Sequence, residues 1–195
     1  MTTPAAARRA RQLEERRLRI VGAARALAEE QGWDAVTTRR LADAIEYSQP
    51  VLYGHFPQGR NQIVTAVALE GFEELAAALA PSALAGTGTD VERVRALVTV
   101  YLDFAERHPA TYDAMFLLPV LVPFASDETP EVVRAGFEAI EGTLRRLDDP
   151  PADVPTTAEV LWAAVHGLVA LRRAGRFPAV HQEERLETLV RLITH

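Results

Sequence analysis

Apolar residues recur along this chain at steps of three and four, and no stretch alternates convincingly with period two. Ile20, Ala24, Leu27 and Ala28 line one face of a first helix, which Gly32 can close in a left-handed cap. Two very short helices are expected within residues 37–56, then a longer one burying Val64, Val67, Phe72, Leu75 and Leu79. Residues 81–89, rich in Ala, Gly, Ser and Thr, read as a loop. Asp90 can cap a fifth helix striped by Val91, Val94, Val98, Tyr101 and Ala105, which His108-Pro109 stops. A short helix over residues 111–116 precedes the Pro-broken apolar run LLPVLVPF. Thr129-Pro130-Glu131 then opens a helix carrying Val133, Phe137, Ile140, Leu144 and Leu147, and DDPPADVP ends it. Thr156 and Glu159 form a capping box for a helix running to Gly175. Residues 182–194 form the last, with Leu186, Leu189, Val190 and Ile193 in one stripe. The expected class is all-α, without a sequence repeat.

The segment TTRRLADAIEYSQPVLYGHF, residues 37–56, packs two of these helices into twenty residues. Thr37 or Thr38 caps the first, and Ser48 caps the second, where Pro50 is tolerated because first-turn N–H groups lack intrahelical partners. Leu41 and Ile45 are spaced to share a small core with Leu52 and Phe56, closed by Trp33 and Val36. That leaves Gln49, Val51, Tyr53 and His55 pointing outward from a helix of about two turns, marginal by itself. A helix-turn-helix places such a face in the DNA major groove. An ordinary helical hairpin with a polar rim is the alternative.

The longer stretch RLRIVGAARALAEEQGWDAVTTRRLADAIEYSQPVLYGHFPQGRNQIVTAV, residues 17–67, closely resembles the DNA-binding region of the tetracycline-repressor (TetR/AcrR) family of bacterial regulators. LWAAVHGLVALRRAGRFP is similar to that family's C-terminal type with a Trp-His-Gly signature, here Trp162, His166 and Gly167. The resemblance implies a homodimeric repressor, with an N-terminal arm and helix-turn-helix in residues 1–61 and a helical effector-binding and dimerisation domain in residues 62–195. By the same resemblance Thr38 and Arg39, with Thr37 beside them, would touch phosphates. Ser48, Gln49, Pro50 and Val51 would meet base edges, and Tyr53 and His55 would hold the DNA backbone. Arg60 and Arg19 join this set. Three positions depart from the family pattern: Glu46 stands where a left-handed Gly is usual, Tyr47 replaces a small apolar residue, and Arg60 follows Gly59 one place late.

In the second half, LWAAVHGLVAL is apolar nearly all round, which suggests burial against a second subunit as well as its own domain. Leu161, Ala163, Gly167, Ala170 and Ala174, with Leu186, Leu189, Val190 and Ile193 from the last helix, are the expected dimer residues. A central helix buried within one chain is the other reading. Phe72, Tyr101, Phe104, Tyr112, Met115, Phe116, Phe137, Trp162 and His166 are the candidate lining of an effector cavity for a mainly apolar or aromatic small molecule. The same residues could instead be plain core.

Charge sharpens the division. The chain carries −6 overall. Residues 1–60 hold ten Arg and seven acids, a net of +3, and the remainder nets −9; every basic residue is Arg. Arg8, Arg9, Arg11, Arg16, Arg17 and Arg19 precede or open the first helix, either as an arm for phosphates or a minor groove, or as a solvated terminus. The 195 residues include no Cys, and no apolar run suggests a membrane span, so a cytoplasmic protein is expected. None of the five His has zinc spacing, and Gly86-Thr-Gly88 lacks the rest of a phosphate loop. The expectation is therefore a regulator of double-stranded operator DNA without metal or cofactor, and not an enzyme. The alternatives are a regulator of the same fold that senses a protein partner and, behind it, an all-α enzyme.

Overall fold

The computed structural model describes residues 3–84 and 88–194, and among these it contains nine α-helices, two short 3-10 turns and no strand. Ala85, Gly86 and Thr87, and with them most of the Gly86-Thr-Gly88 motif, lie outside the described residues. Contacts divide the chain into two compact units. The first comprises Met1–Gly71 and His108–Pro123; the second comprises Phe72–Arg107 and Phe124–His195.

In the first unit α1 (Pro4–Gln31) starts far ahead of its apolar stripe. Thr3 caps it by accepting from the N–H of Ala6, and Pro4 sits in the first turn. Residues 4–19 are rich in Ala, Arg, Glu and Leu, all strong helix formers, so the basic segment is a helical extension. Ile20, Val21, Ala24 and Ala28 form the buried face. Gly32 ends α1 at φ 80° and ψ 164°, a corner of backbone space that only glycine occupies readily. A 3-10 turn at Trp33–Ala35 leads to α2 (Thr38–Ala44) and α3 (Gln49–His55). Next comes α4 (Arg60–Leu84), in which Val64, Val67, Phe72, Leu75 and Leu79 are buried as expected. Residues 81–84, expected to be loop, continue this helix. Proline keeps a helical φ and removes one ladder bond without forbidding the turn.

The second unit is built on α5 (Asp90–Arg107), α7 (Glu131–Arg145), α8 (Val154–Arg173) and α9 (Gln182–Thr194). Between α5 and α7 the chain passes through α6 (Pro109–Phe116), which belongs to the first unit. The buried stripe of α5 is Val94, Leu97, Val98, Tyr101, Phe104 and Ala105, while Val91 stays exposed. Its capping box is Thr89 with Glu92, each side chain satisfying the other's backbone N–H. Asp90, the expected cap, instead accepts from the backbone N–H of Asp148 at 3.0 Å and pairs with Arg93, whose guanidinium also reaches Asp148. Similarly, α8 is capped by Asp153, which accepts from the N–H of Thr156, and not by Thr156 and Glu159. A carboxylate three residues nearer the loop reaches that N–H, and Pro155 fits within the first turn. Arg95 on α5 pairs with Glu183 and Glu187 on α9, and Arg172 on α8 pairs with Glu106 on α5.

Candidate functional site

The corner between α2 and α3 is built as its residues dictate. Thr37 caps α2, its hydroxyl accepting from the N–H of Arg40 at 3.2 Å. Ser48 is the N-cap of α3 by backbone angle, and its side chain makes no cap bond. The turn closes through the N–H of Tyr47 donating to the carbonyl of Ala42 at 2.9 Å. That geometry puts Glu46 at φ 56°, a left-handed angle disfavoured for a side-chain-bearing residue by roughly 1–2 kcal/mol. Leu41, Leu52, Phe56, Val36 and Trp33 are all buried beneath the corner, and Ile45 is half-buried.

Outward from this core stand Ser48, Gln49, Pro50, Val51 and Tyr53, all exposed, with Tyr53 at 47%. His55 and Thr38 are half-buried, and Arg39 is exposed. Arg19 donates to the Tyr47 hydroxyl at 2.9 Å and lies over its ring, so the unusual Tyr47 ties the end of the α1 extension to the entrance of α3. Arg60 departs from the expected outward contact. Its Nε donates to the Val36 carbonyl at 3.2 Å and an Nη to the Trp33 carbonyl at 3.0 Å, with the guanidinium over the Trp33 ring. It fastens the start of α4 to the corner by donating to the Val36 carbonyl and to the Trp33 carbonyl, which also accepts from the Val36 N–H at 3.1 Å.

A second set of polar contacts in this unit had no sequence signal. The Glu29 carboxylate caps α6, accepting from the N–H of Ala110 and Thr111 at 2.9 Å each and from the Thr111 hydroxyl at 2.8 Å. Trp33 donates its indole N–H to the carbonyl of Ala110 at 2.7 Å. Against α4 the fit is so close that a Cβ on Gly71 would lie 2.6 Å from Thr111 and 2.7 Å from the Met115 sulfur.

The nine candidate effector-lining residues are not all brought together. Tyr112, Met115 and Phe116 belong to the first unit, where the Tyr112 and Phe116 rings pack 4.8 Å apart. Phe72, Tyr101, Phe104, Phe137, Trp162 and His166 belong to the second. There Trp162 donates its indole N–H to the Tyr101 hydroxyl at 2.9 Å, leaving that hydroxyl's proton for His166 Nε2, also 2.9 Å away. Burial holds the imidazole neutral, its pKa lowered to about 4. Phe137 packs edge-on to Trp162. The cavity under Tyr101 and Trp162, lined also by Leu97, Val98, Ile140, Leu161 and Val165, holds only about 10 Å³. That is room for one water at most.

Of the candidate dimer residues, Leu161, Leu186, Leu189 and Val190 are buried inside the unit. They serve its own core, since α9 turns that stripe towards α5 and α8. Ala163, Ala170 and Ala174 are exposed, and Gly167 and Ile193 half-buried. The outer face of α8 is wider than expected: Val160 is 58% exposed and Leu171 42%, and at helical spacing both flank Gly167. Leu192 of α9, at 73%, lines an open groove of about 450 Å³ with Ala164, Leu168, Phe177 and Leu189. Val160 and Leu171 lie seven before and four after Gly167, so this pattern was present in the sequence. By length and composition alone α8 is apolar enough to cross a membrane.

A short helix presenting hydroxyl, amide and aromatic groups beyond a tight left-handed turn is the second helix of a helix-turn-helix, and the chain is a DNA-binding transcriptional regulator. Residues 20–67 match the family described as bacterial regulatory proteins, tetR family, and residues 94–194 match the tetracyclin repressor-like C-terminal domain. The chain belongs to the TetR family, whose members are regulators and not enzymes. It is 28% identical to the HTH-type transcriptional repressor KstR of Mycobacterium tuberculosis over 92% of this chain and 80% of that one. With KstR of Mycolicibacterium smegmatis the identity is 35% over 52% of this chain, and the match spans about half, 48%, of that repressor's length. A solved structure of a Rhodococcus protein of unknown function superposes with a TM-score of 0.71 at 25% identity, covering 92% of this chain and 95% of that one.

Proposed function

We propose that this protein is a cytoplasmic repressor that binds a palindromic operator as a homodimer, with residues 1–61 as reader and residues 62–195 as sensing and dimerisation domain. The observation that carries the reading is the exposed α3 face over the buried core of Leu41, Leu52, Phe56, Val36 and Trp33. In this reading Gln49, with Ser48, Pro50 and Val51, meets base edges, while Thr38, Arg39, Tyr53 and His55 hold the backbone. Thr37 supports them through its cap, and Arg19 through Tyr47.

The dimer face in this proposal is Ala163, Gly167, Ala170 and Ala174 with Val160, Leu171, Leu192 and Ile193. A Cβ built on Gly167 meets nothing within 4 Å, so the protomer itself does not require glycine there. Close approach of a second backbone does supply a reason. Two readers one helical turn apart, roughly 34–36 Å, then select inverted repeats.

A small apolar or aromatic effector is the favoured signal, in keeping with the aromatic interior of the second unit. It works by preferring a conformation whose readers are misplaced for DNA, and shifts the balance only by its differential affinity. The filled space under Tyr101 and Trp162 supports the second reading, a sensor of a protein partner, because an effector there must displace side chains. Selection of bound sequences from a random DNA pool tests the class: a palindromic winner is expected, and binding without sequence preference sinks it. Melting temperature and operator release against a panel of aromatic and lipid-like compounds separate the two signals.

A further inference from the structure

The extension of α1 contributes no buried residue to the corner's core, which it touches through Arg17 over the Phe56 ring, and it orders six arginines. Placed at about 100° per residue, Arg8, Gln12, Arg16, Arg19 and Arg9 fall within one sector about 100° wide that contains no acid. Glu14 and Glu15 lie outside it, and Glu14 pairs with Arg17, 3.6 Å away, beyond the sector's other edge. Arg8, Arg9, Arg16 and Arg19 are all exposed. At its far end this cationic sector is not free to swing: Arg19 is hydrogen-bonded to Tyr47, immediately before Ser48 and the exposed face of α3.

We propose that the α1 extension is a second DNA contact, a rigid arginine-bearing rod that grips phosphates flanking the operator core. The proposal rests on the DNA-reading assignment of α3. From Arg8 to Arg19 the sector runs about 16 Å at the helical rise of about 1.5 Å per residue. That length corresponds to about five steps of a duplex strand at about 3.4 Å each. A helix about 10–12 Å across with its side chains does not enter a minor groove about 6 Å wide. The major groove, wide enough for a helix, is taken by α3 in this reading, so the contact is to backbone and adds affinity without adding base preference. Docking of a partner protein is disfavoured by the same projection. The exposed Leu13 and Leu18 fall on well-separated sides of the rod and form no apolar stripe.

The test uses the full-length protein and two labelled duplexes, the selected operator core alone and the same core with about six added base pairs of arbitrary sequence on each side. Affinity is measured by fluorescence anisotropy between 50 and 200 mM salt for the parent, for Arg8→Gln/Arg9→Gln/Arg16→Gln and for the matching triple Lys variant. The parent should bind the longer duplex at least tenfold tighter at low salt. The Gln variant should lose that advantage, with a shallower salt slope by about 0.9 per lost contact, while ranking core sequences as the parent does. The Lys variant should keep most of the advantage, and equal helical circular dichroism shows that the rod is intact. Equal affinity of the parent for both duplexes, or a Gln variant that still prefers the longer one, overturns the proposal. If the parent ranks no core sequence above another, the α3 assignment fails separately, and the slope difference on any long duplex still decides the rod.

Discussion

Both α3 and α8 expose apolar side chains, but they do so in different company. At the head of α3, Val51 and Tyr53 stand with the Ser48 hydroxyl and the Gln49 amide, so the exposed face mixes apolar and hydrogen-bonding groups. On α8, Val160, Ala163, Gly167, Ala170 and Leu171 form a face with no charged member. A mixed face suits a wet, polyanionic partner whose grooves offer donors, acceptors and methyl groups. A uniformly small and apolar face suits a dry one, packed helix to helix. Length follows the same division. Seven residues suffice where a buried corner supplies the stability, while the twenty of α8 supply area.

The largest effect is expected from Gly167→Arg. Because the protomer leaves open space at that Cβ, and because arginine favours helix over glycine, the variant should fold with unchanged or higher stability. It should sediment as a single chain and bind operator at least about a hundredfold more weakly, the second half-site having lost its tether. A variant that remains dimeric with full affinity would remove α8 from the interface. On the other side, Gln49→Ala should lower discrimination at one base position by about 1–3 kcal/mol and leave the others intact. Tyr53→Ala should weaken binding to all sequences alike. Competition between single-base operator variants separates the two patterns.

Within the helical body, unfolding takes up a proton between about pH 4, where the folded His166 titrates, and 6.5, its ordinary value. The stability due to the neutral ring is thus complete above 6.5 and declines as pH falls towards 4. It amounts to about 1–2 kcal/mol after allowance for screening of a part-exposed group. His166→Gln, which preserves an acceptor for Tyr101, should flatten that part of the denaturation profile. The smallest effect is expected from Glu46→Gly, a gain of roughly 1 kcal/mol from relief of the left-handed angle, read as a higher melting temperature.

Much of this was legible in the residues. Leu41, Leu52 and Phe56 announce the corner through spacing alone, Thr37 announces its cap, and the departure at Glu46 announces a left-handed turn that the backbone adopts. The helix of residues 4–19 is legible through propensity alone, since the buried stripe of α1 begins only at Ile20. What could not be read are contacts between distant parts of the chain. Glu29 and Ala110 lie 81 residues apart, and nothing in either neighbourhood marks them as partners. Arg60 is illegible for a related reason: an arginine beside a reader suits phosphates, while the two carbonyls that accept from it lie 24 and 27 residues earlier. Helix starts shifted wherever two capping side chains competed, as Asp153 did with Thr156.

The carboxylate of Glu29 and the indole of Trp33 have a consequence for anyone who would cut the molecule. Their partners at the head of α6 arrive only after the chain has passed through α5. A fragment stopping at residue 71 would strand both groups and bare the notch beside Gly71 that Thr111 and Met115 fill. The unit that carries the reader is therefore not a detachable bead on a string. Its last piece is delivered late by the polypeptide, and no single scission releases it whole.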